Sequence, residues 1–184
     1  ENYFTYNKKI SDDHDINALA GLSWQETNLF GISASSQNFS TDYFLFNNIG
    51  AGSQQNPGGS GRSRFSFNSY FGRINYTFRN KYLFTVTGRA DGSSRFGENN
   101  KYAFFPSAAV AWRASEEAFL QNSNVISNLK LRASYGQTGN SEIAAYQSET
   151  GLGTYSAIYN DQRITGVGAG RIGNPDLQWE RTSQ

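Results

Sequence analysis

The sequence predicts an all-β fold, namely a segment of an antiparallel, up-and-down transmembrane β-barrel. Two observations lead to this prediction. Several segments alternate between apolar and polar residues with a period of two, which is typical of strands that separate two environments. The connections between successive strands are short at one end of the predicted sheet and long at the other, which is typical of outer-membrane barrels. A soluble β-sandwich would give the same alternation, so the pattern leaves this second architecture open.

Composition restricts the function classes. The chain has 184 residues, a net charge of +1, 15% aromatic residues and no Cys or Met. The small net charge gives no strong attraction to nucleic acid, and the lack of Cys excludes disulfides and thiolate sites. No apolar run of about 18 residues is present, which excludes a spanning helix but not a spanning barrel. No signal-peptide pattern opens the sequence, so we expect a leader to be absent or already removed.

The clearest strand pair is a hairpin formed by residues 70–78 and 82–91, which are separated only by residues 79–81. One face of this hairpin is free of charge and rich in aromatic residues, whereas the other carries Arg73 and Arg89. Such spacing is typical of a β-hairpin.

The remaining elements are weaker but follow the same pattern. The other predicted strands are residues 2–9, 15–24, 104–113, 129–135 and 174–180, which brings the total to about seven. A helical turn is expected at residues 115–120, with Ser115 as its cap and two acidic residues in its first turn.

The connections fall into two groups. The predicted turns at one end are residues 11–14, 79–81 and 114–128, and the predicted loops at the other end are residues 26–64, 92–102 and 136–173. In outer-membrane barrels the short turns are periplasmic and the long loops are extracellular. Residues 54–61 and 151–170 are rich in Gly and small polar residues, so we expect them to be the least ordered parts unless a partner orders them.

Aromatic residues concentrate near the short-turn end on the apolar face. The residues concerned are Tyr76, Phe78, Tyr82, Phe84 and Trp112. Their position is typical of an interfacial girdle in a membrane barrel. Ordinary cross-strand aromatic pairing in a sandwich is the alternative.

Period two also assigns the faces. The residues predicted to face the lumen are Arg73, Asn75, Arg89, Asp91, Arg113, Lys130 and Arg132. The residues predicted to face lipid are Ile74, Tyr76, Phe84, Val86, Val110 and Leu131. The reason is that Arg or Lys facing lipid at the bilayer midplane costs about 2–4 kcal/mol in a barrel. We expect Arg89 and Asp91 to form a network with Arg73 across the hairpin, and the lumen-facing set to contact a plug or a substrate.

Other chemistry is not supported. The glycine-rich residues 166–173 lack the following helix that a dinucleotide site requires. Residues 12–15 contain the single His and read as a solvated turn, and residues 91–100 have the wrong acid spacing for a calcium loop. No Ser/His/Asp arrangement is supported. We therefore expect no enzyme activity, no metal and no cofactor.

Several motifs, taken in order, resemble those of the SusC/RagA family of TonB-dependent outer-membrane transporters of Bacteroidota. They are residues 70–76 (YFGRINY), 81–85 (KYLFT), 89–97 (RADGSSRFG), 105–107 (FPS), 112–113 (WR), 127–140 (SNLKLRASYGQTGN) and 174–177 (NPDL). The match is strong over residues 69–140 and weaker in the flanks.

The resemblance implies a barrel of about 22 strands with an internal plug. It implies import of glycans, or of peptides, with a SusD-like surface lipoprotein as a lid and with energy from TonB. We expect residues 1–184 to be a partial barrel domain without the plug, without the N-terminal part that contacts TonB and without the remaining strands. The expected partners are the SusD-like lipoprotein, TonB, the plug domain, outer-membrane lipid and the glycan or peptide substrate. Nucleic acid is not expected as a partner. A soluble all-β carbohydrate-binding module is the alternative function.

Overall fold

The computed structural model describes residues 1–121 and 125–184, and it is built of antiparallel strands. The large sheet consists of β1 (Asn2–Ser11), β2 (His14–Phe39), β3 (Gly52–Phe78), β4 (Tyr82–Ser93), β5 (Tyr102–Arg113), β6 (Lys130–Asn140) and β9 (Glu180–Ser183). A separate two-stranded sheet consists of β7 (Gly151–Tyr159) and β8 (Gln162–Arg171). Neighbours in the large sheet follow chain order from β1 to β6, and β9 pairs with β6. The prediction of an antiparallel, up-and-down, all-β architecture is confirmed.

The central hairpin is confirmed, with Phe78 opposite Tyr82 at its closed end. Its turn places Arg79 and Asn80 in the left-handed region, at φ 49° and 54°. Asn adopts this region readily, whereas Arg does so at a cost. That cost is offset because the Arg79 backbone N–H donates to the Asp13 carbonyl at 2.7 Å and its guanidinium lies over the Phe78 ring.

The predicted long loop over residues 26–64 is wrong. Strand β2 continues to Phe39 and β3 begins at Gly52, so the connection is only residues 40–51, which contain the 3₁₀ turns Leu45–Asn47 and Ile49–Ala51. Residues 26–65 form a compact unit of their own. Most side chains in this hairpin are exposed on both faces, so neither face has to be apolar. The sequence therefore shows no alternation of period two here, and its glycines and Pro57 are residues typical of a loop.

Polar cross-strand contacts hold this second unit together instead of an apolar face. Ser36 donates to the Gln54 carbonyl at 3.2 Å, and Asn56 donates to the Ser35 hydroxyl at 3.2 Å. Arg64 pairs with Glu26 at 2.5 Å. Such contacts specify how the two strands pair, although the sequence shows no alternation of apolar and polar residues.

The predicted loop over residues 136–173 is also wrong in part. Strand β6 extends to Asn140, and β7 and β8 form a hairpin closed by Asn160 and Asp161, whose φ values of 51° and 55° fit a type I′ turn. The Tyr155 ring lies against Gly168, and its hydroxyl donates to the Ala169 carbonyl at 2.6 Å. Residues 54–61 and most of 151–170 are therefore strand, and their mobility stays a prediction.

Two smaller predictions are shifted. The last strand begins at Glu180 rather than at residue 174, because Asn174 starts a turn in which its side chain accepts from the Asp176 N–H at 3.0 Å. The helical turn is a 3₁₀ turn, Ala114–Glu116, whose N-cap is Arg113 without a side-chain cap bond, so Ser115 is not the cap. Ser115 instead donates its backbone N–H to Leu129 at 3.2 Å. Residues 122–124 of the predicted 114–128 connection lie outside the described residues.

The apolar face of the large sheet is open. Ile74 is 55% exposed and Val86 is 59% exposed, although both lie in the middle of the sheet. A sandwich would bury this face in a core. The exposed apolar face therefore agrees with the wall of a membrane barrel and not with the sandwich alternative.

Candidate lumen-facing surface

Strand register brings the seven predicted lumen residues to one face of the sheet. Directly paired residues in an antiparallel sheet point to the same side. Arg73 is opposite Thr87 and Arg113 is opposite Lys130, and the remaining members follow in steps of two. The six predicted lipid residues lie on the other face by the same register. That the first face lines a lumen, and what it contacts there, stays a prediction.

Arg89 and Asp91 form the strongest ion pair on this face. The Arg89 Nε lies 2.6 Å and 2.9 Å from the two Asp91 carboxylate oxygens. Its Nη2 donates to the Ser69 hydroxyl at 2.9 Å, and Ser69 is fully buried. The expected network therefore exists, but Ser69 completes it across the hairpin. Within the part of the chain that the structure describes, Arg73 makes no hydrogen bond or ion pair with this network.

A ladder of amide side chains crosses the same face over four strands. Asn17 donates to the Asn7 side-chain oxygen, and Asn75 donates to that of Asn17 at 2.8 Å. The Thr85 hydroxyl then donates to Asn75 at 2.9 Å. Of these residues the sequence identified only Asn75 as a site residue. The shared polar parity of Asn7 and Asn17 was the signal that could have identified the others.

Apolar side chains form a small core on this polar face, at the end where β4 and β5 are joined. Phe96 and Trp179 are 2% and 7% exposed, and they pack with Ala103 and Phe105. Phe105 is paired with Arg89, which fixes the side of the sheet. The indole N–H of Trp179 donates to the Lys101 carbonyl at 2.9 Å, so the buried ring has no unsatisfied donor.

Two glycines make this core possible. A Cβ on Gly97 would collide with the Pro175 backbone, and a Cβ on Gly139 would collide with the Phe105 ring. Neither glycine has a positive φ. The two glycines are therefore needed because they lack a side chain, which lets the β4–β5 connection and the segment before β9 approach each other. These contacts join four of the motifs on which the family resemblance depends, because Gly97, Phe105, Gly139 and Pro175 each belong to a different one.

At the opposite end of the sheet, the Glu117 carboxylate accepts hydrogen bonds from three side chains. Lys81 donates to it at 2.9 Å, the Tyr82 hydroxyl at 2.7 Å and the Trp112 indole at 3.2 Å. These bonds, with Lys81 first, lower the pKa of Glu117 from 4.5 to about 2. Glu117 follows the 3₁₀ turn after β5, so it ties this turn to the β3–β4 hairpin. In the sequence, Glu117 is one of the two acidic residues of the helical turn expected at residues 115–120, and no local pattern indicates this role.

A hydroxyl-rich cavity of about 380 Å³ lies between β5 and β6. Its lining includes Thr85, Ser107, Ser134, Thr138 and Gln184. No carboxylate or cation of the described chain contributes to it. The cavity therefore offers neutral donors and acceptors.

Other kinds of site find no support. Among residues 1–121 and 125–184, no group of three or more His, Asp or Glu side chains could hold a metal ion. Within the same ranges, no helix is long and apolar enough to cross a membrane. Residues 166–171 belong to β8 and pair with β7, so they form no phosphate-binding turn before a helix.

Comparison with known proteins decides the family. A model described as the β-barrel of TonB-dependent receptor-like proteins matches residues 1–184. The chain belongs to the TonB-dependent receptor family. TonB-dependent receptor P3 of Formosa agariphila is 41% identical over 184 residues, covering all of this chain and 18% of the relative. TonB-dependent receptor SusC of Bacteroides thetaiotaomicron is 42% identical over 119 residues, covering 62% of this chain and 12% of the relative.

Solved structures agree with this assignment. The RagAB peptide transporter has a TM-score of 0.82 and 32% identity, with 98% of this chain and 20% of that chain covered. A structure of the RagAB peptide importer in its open-open state has a TM-score of 0.79 and 33% identity. The resemblance to the SusC/RagA family is thus confirmed. This TonB-dependent receptor chain spans about a fifth of its relatives' length, and these relatives are receptors and transporters rather than enzymes.

Proposed function

We propose that the chain is part of the barrel wall of a TonB-dependent transporter that imports a nutrient across the outer membrane of a Bacteroidota-like bacterium. The observation that carries the proposal is the family match over residues 1–184, together with a sheet whose apolar face is open. The shorter span of this chain relative to its relatives supports a role as one section of a larger barrel.

We propose an oligosaccharide as the substrate class. The support is chemical, because the polar face combines an amide ladder with a cavity lined by hydroxyls and amides. Sugar hydroxyls exchange hydrogen bonds with such neutral groups in both directions. Arg89 and Asp91 on the same face neutralise each other as an ion pair.

A peptide is the second candidate. It is favoured by the similarity to the RagAB peptide transporter, with 98% of this chain covered. A peptide has charged ends, so it needs unpaired ions along its path, and Arg73, Arg113, Lys130 and Arg132 supply cations on the same face.

The proposed partners follow from the same assignment. An internal plug would meet the polar face, and a SusD-like lipoprotein would cover the extracellular end. TonB would act through an N-terminal part outside residues 1–184. Co-purification of the complete transporter with a lipoprotein encoded beside it tests the lid, and recovery of the transporter alone under mild detergent would contradict it.

Uptake measurements test the function directly. A strain that lacks the complete transporter gene is complemented with the wild type or with an Arg89→Ala variant, and the cells receive labelled oligosaccharide or labelled peptide mixtures. We expect uptake of one class to depend on the gene and on TonB. A strain without TonB is the control. Uptake of neither class, with the barrel folded in the outer membrane, would contradict the proposal, and uptake of peptide alone would select the second candidate.

A further inference from the structure

A second cavity opens on the apolar face of the sheet, at the end where β4 and β5 are joined. Its volume is about 280 Å³, and its lining includes Trp24, Asn68, Gly92, Ser94, Lys101 and Tyr102. Gly92 creates the space, because a Cβ at this position would collide with the side chains of Asn68 and Tyr102. Trp24 and Tyr102 are 64% and 58% exposed beside it.

The position of the cavity along the strands indicates where it lies relative to the membrane. On β3, β4 and β5 the row Asn68, Gly92 and Tyr102 is paired in register, and so is the row Phe78, Tyr82 and Trp112. The two rows lie about 10 residues apart on each strand, which is the length of a tilted strand that crosses a bilayer. The second row belongs to the aromatic girdle predicted at the short-turn end. The cavity therefore lies at the opposite membrane interface, where Trp and Tyr are also enriched.

Two hydroxyls of the cavity accept hydrogen bonds from the wall of the cavity itself. The Tyr102 hydroxyl accepts from the Asn68 amide at 2.7 Å, and the Ser94 hydroxyl accepts from the Ser66 backbone N–H at 2.9 Å. Both hydroxyl protons are therefore left for a ligand. In the described ranges, no carboxylate lies within 4.0 Å of the Lys101 ammonium. The lining contains Lys101 and two hydroxyls but no carboxylate, and this combination favours an anion rich in acceptor oxygens.

We propose that this cavity binds the phosphorylated sugar headgroup of a glycolipid in the outer leaflet. Lys101, Tyr102 and Ser94 would donate to the phosphate, and the rings of Trp24 and Tyr102 would flank the sugar. This inference rests on the proposed function, since it requires the sheet to be the wall of an outer-membrane barrel with its long connections outside. A lipid is favoured over a free anion because the cavity opens on the apolar face rather than toward the polar one.

The test uses the complete transporter in phosphatidylethanolamine nanodiscs that contain diphosphorylated lipid A, with bound lipid counted by native mass spectrometry. Lys101→Ala should weaken lipid A retention about five-fold, the effect of roughly 1 kcal/mol per cation near a charged membrane surface. Tyr102→Phe keeps the ring but removes the hydroxyl proton, and it should also reduce retention. Lys8→Ala is the matched control, because Lys8 is paired with Ile16 on the same face near the other end of the sheet.

Three results would overturn the proposal. One is equal retention of lipid A that lacks its phosphates, which would indicate a sugar site only. Another is wild-type retention by Lys101→Ala. The third is Lys101-dependent binding of inorganic phosphate as tight as that of lipid A, which would indicate a site for a free anion. Uptake assays on the same variants keep the two proposals separate, because a folded barrel that retains lipid A but imports nothing contradicts only the transport proposal.

Discussion

Arg73 and Ile74 are neighbours in the chain but lie on opposite faces of the sheet. The sequence contains no Cys, so single Cys substitutions report on each face without background from this chain. In the complete transporter, Ile74→Cys and Val86→Cys should be shielded by lipid from water-soluble thiol reagents. Arg73→Cys and Arg89→Cys should react once the plug is displaced. The reverse labelling pattern would mean that every face assigned here is wrong by one residue.

Glu117 gives a prediction about pH. Its folded-state pKa, about 2, lies below the ordinary value of 4.5. A depressed carboxyl pKa stabilises the folded state above the unfolded-state value, and this contribution is lost as the pH falls from about 4.5 to about 2. The unfolding temperature of the complete protein, followed by heat-dependent gel mobility, should therefore be higher for wild type than for Glu117→Gln at pH 6. The difference should vanish near pH 2. A difference that is independent of pH would contradict the ion pair with Lys81.

The amide ladder matters at the scale of the strands, because Asn75 links β2 to β4 through Asn17 and Thr85. Asn75→Ala leaves both partners without their bond to Asn75, which should destabilise the barrel by about 0.5–1.5 kcal/mol per lost bond. Urea-induced unfolding of the complete protein in lipid measures this. Asn56→Ala is the control, since Asn56 donates to Ser35 in an exposed hairpin, and its effect should stay within about 0.5 kcal/mol. Equal effects of the two substitutions would mean that the ladder contributes nothing particular.

The connection between β4 and β5 depends on Gly97. Gly97→Ala places a methyl group against the Pro175 backbone, which should separate this connection from the segment before β9. Overpacking of this kind costs about 1–3 kcal/mol. Limited proteolysis of whole cells should then cut residues 141–179 faster than in wild type. Gly61→Ala is the matched control because no heavy atom lies within 4 Å of its added Cβ, and equal cleavage of both variants would contradict the role of Gly97.

The sequence predicted the elements in which one face is apolar and failed where both faces are polar. The alternation from Tyr70 to Phe78 identified β3 near its closed end, but the Gly, Ser and Gln residues after Gly52 gave no period although they belong to the same strand. The parity of Arg89 and Asp91 placed them on one face correctly. Their partner Ser69 and the contact between Phe96 and Trp179 join residues far apart in the chain, and no local pattern encodes such contacts.

At the scale of the whole molecule, the large sheet has β1 and β9 as edge strands among the described residues. Unpaired backbone cannot remain in contact with lipid, and an open apolar face favours association in water. Expressed alone and refolded in detergent, residues 1–184 should therefore aggregate or remain molten. Size-exclusion chromatography and thermal melting check this. A monodisperse monomer that melts cooperatively in plain buffer would favour the soluble alternative.

The open apolar face also bears on how such a chain leaves the cytoplasm. Polar residues interrupt the apolar residues of the wall strands, so no apolar run reaches the length of a spanning helix, and mean hydropathy is only −0.61. A translocation channel releases a segment sideways into the inner membrane when about 20 consecutive residues are apolar. The alternating strands stay below that threshold while they are extended. The chain can thus pass through one membrane as a polar polymer and become a lipid-facing surface in the next, once pairing gathers the apolar side chains on one side.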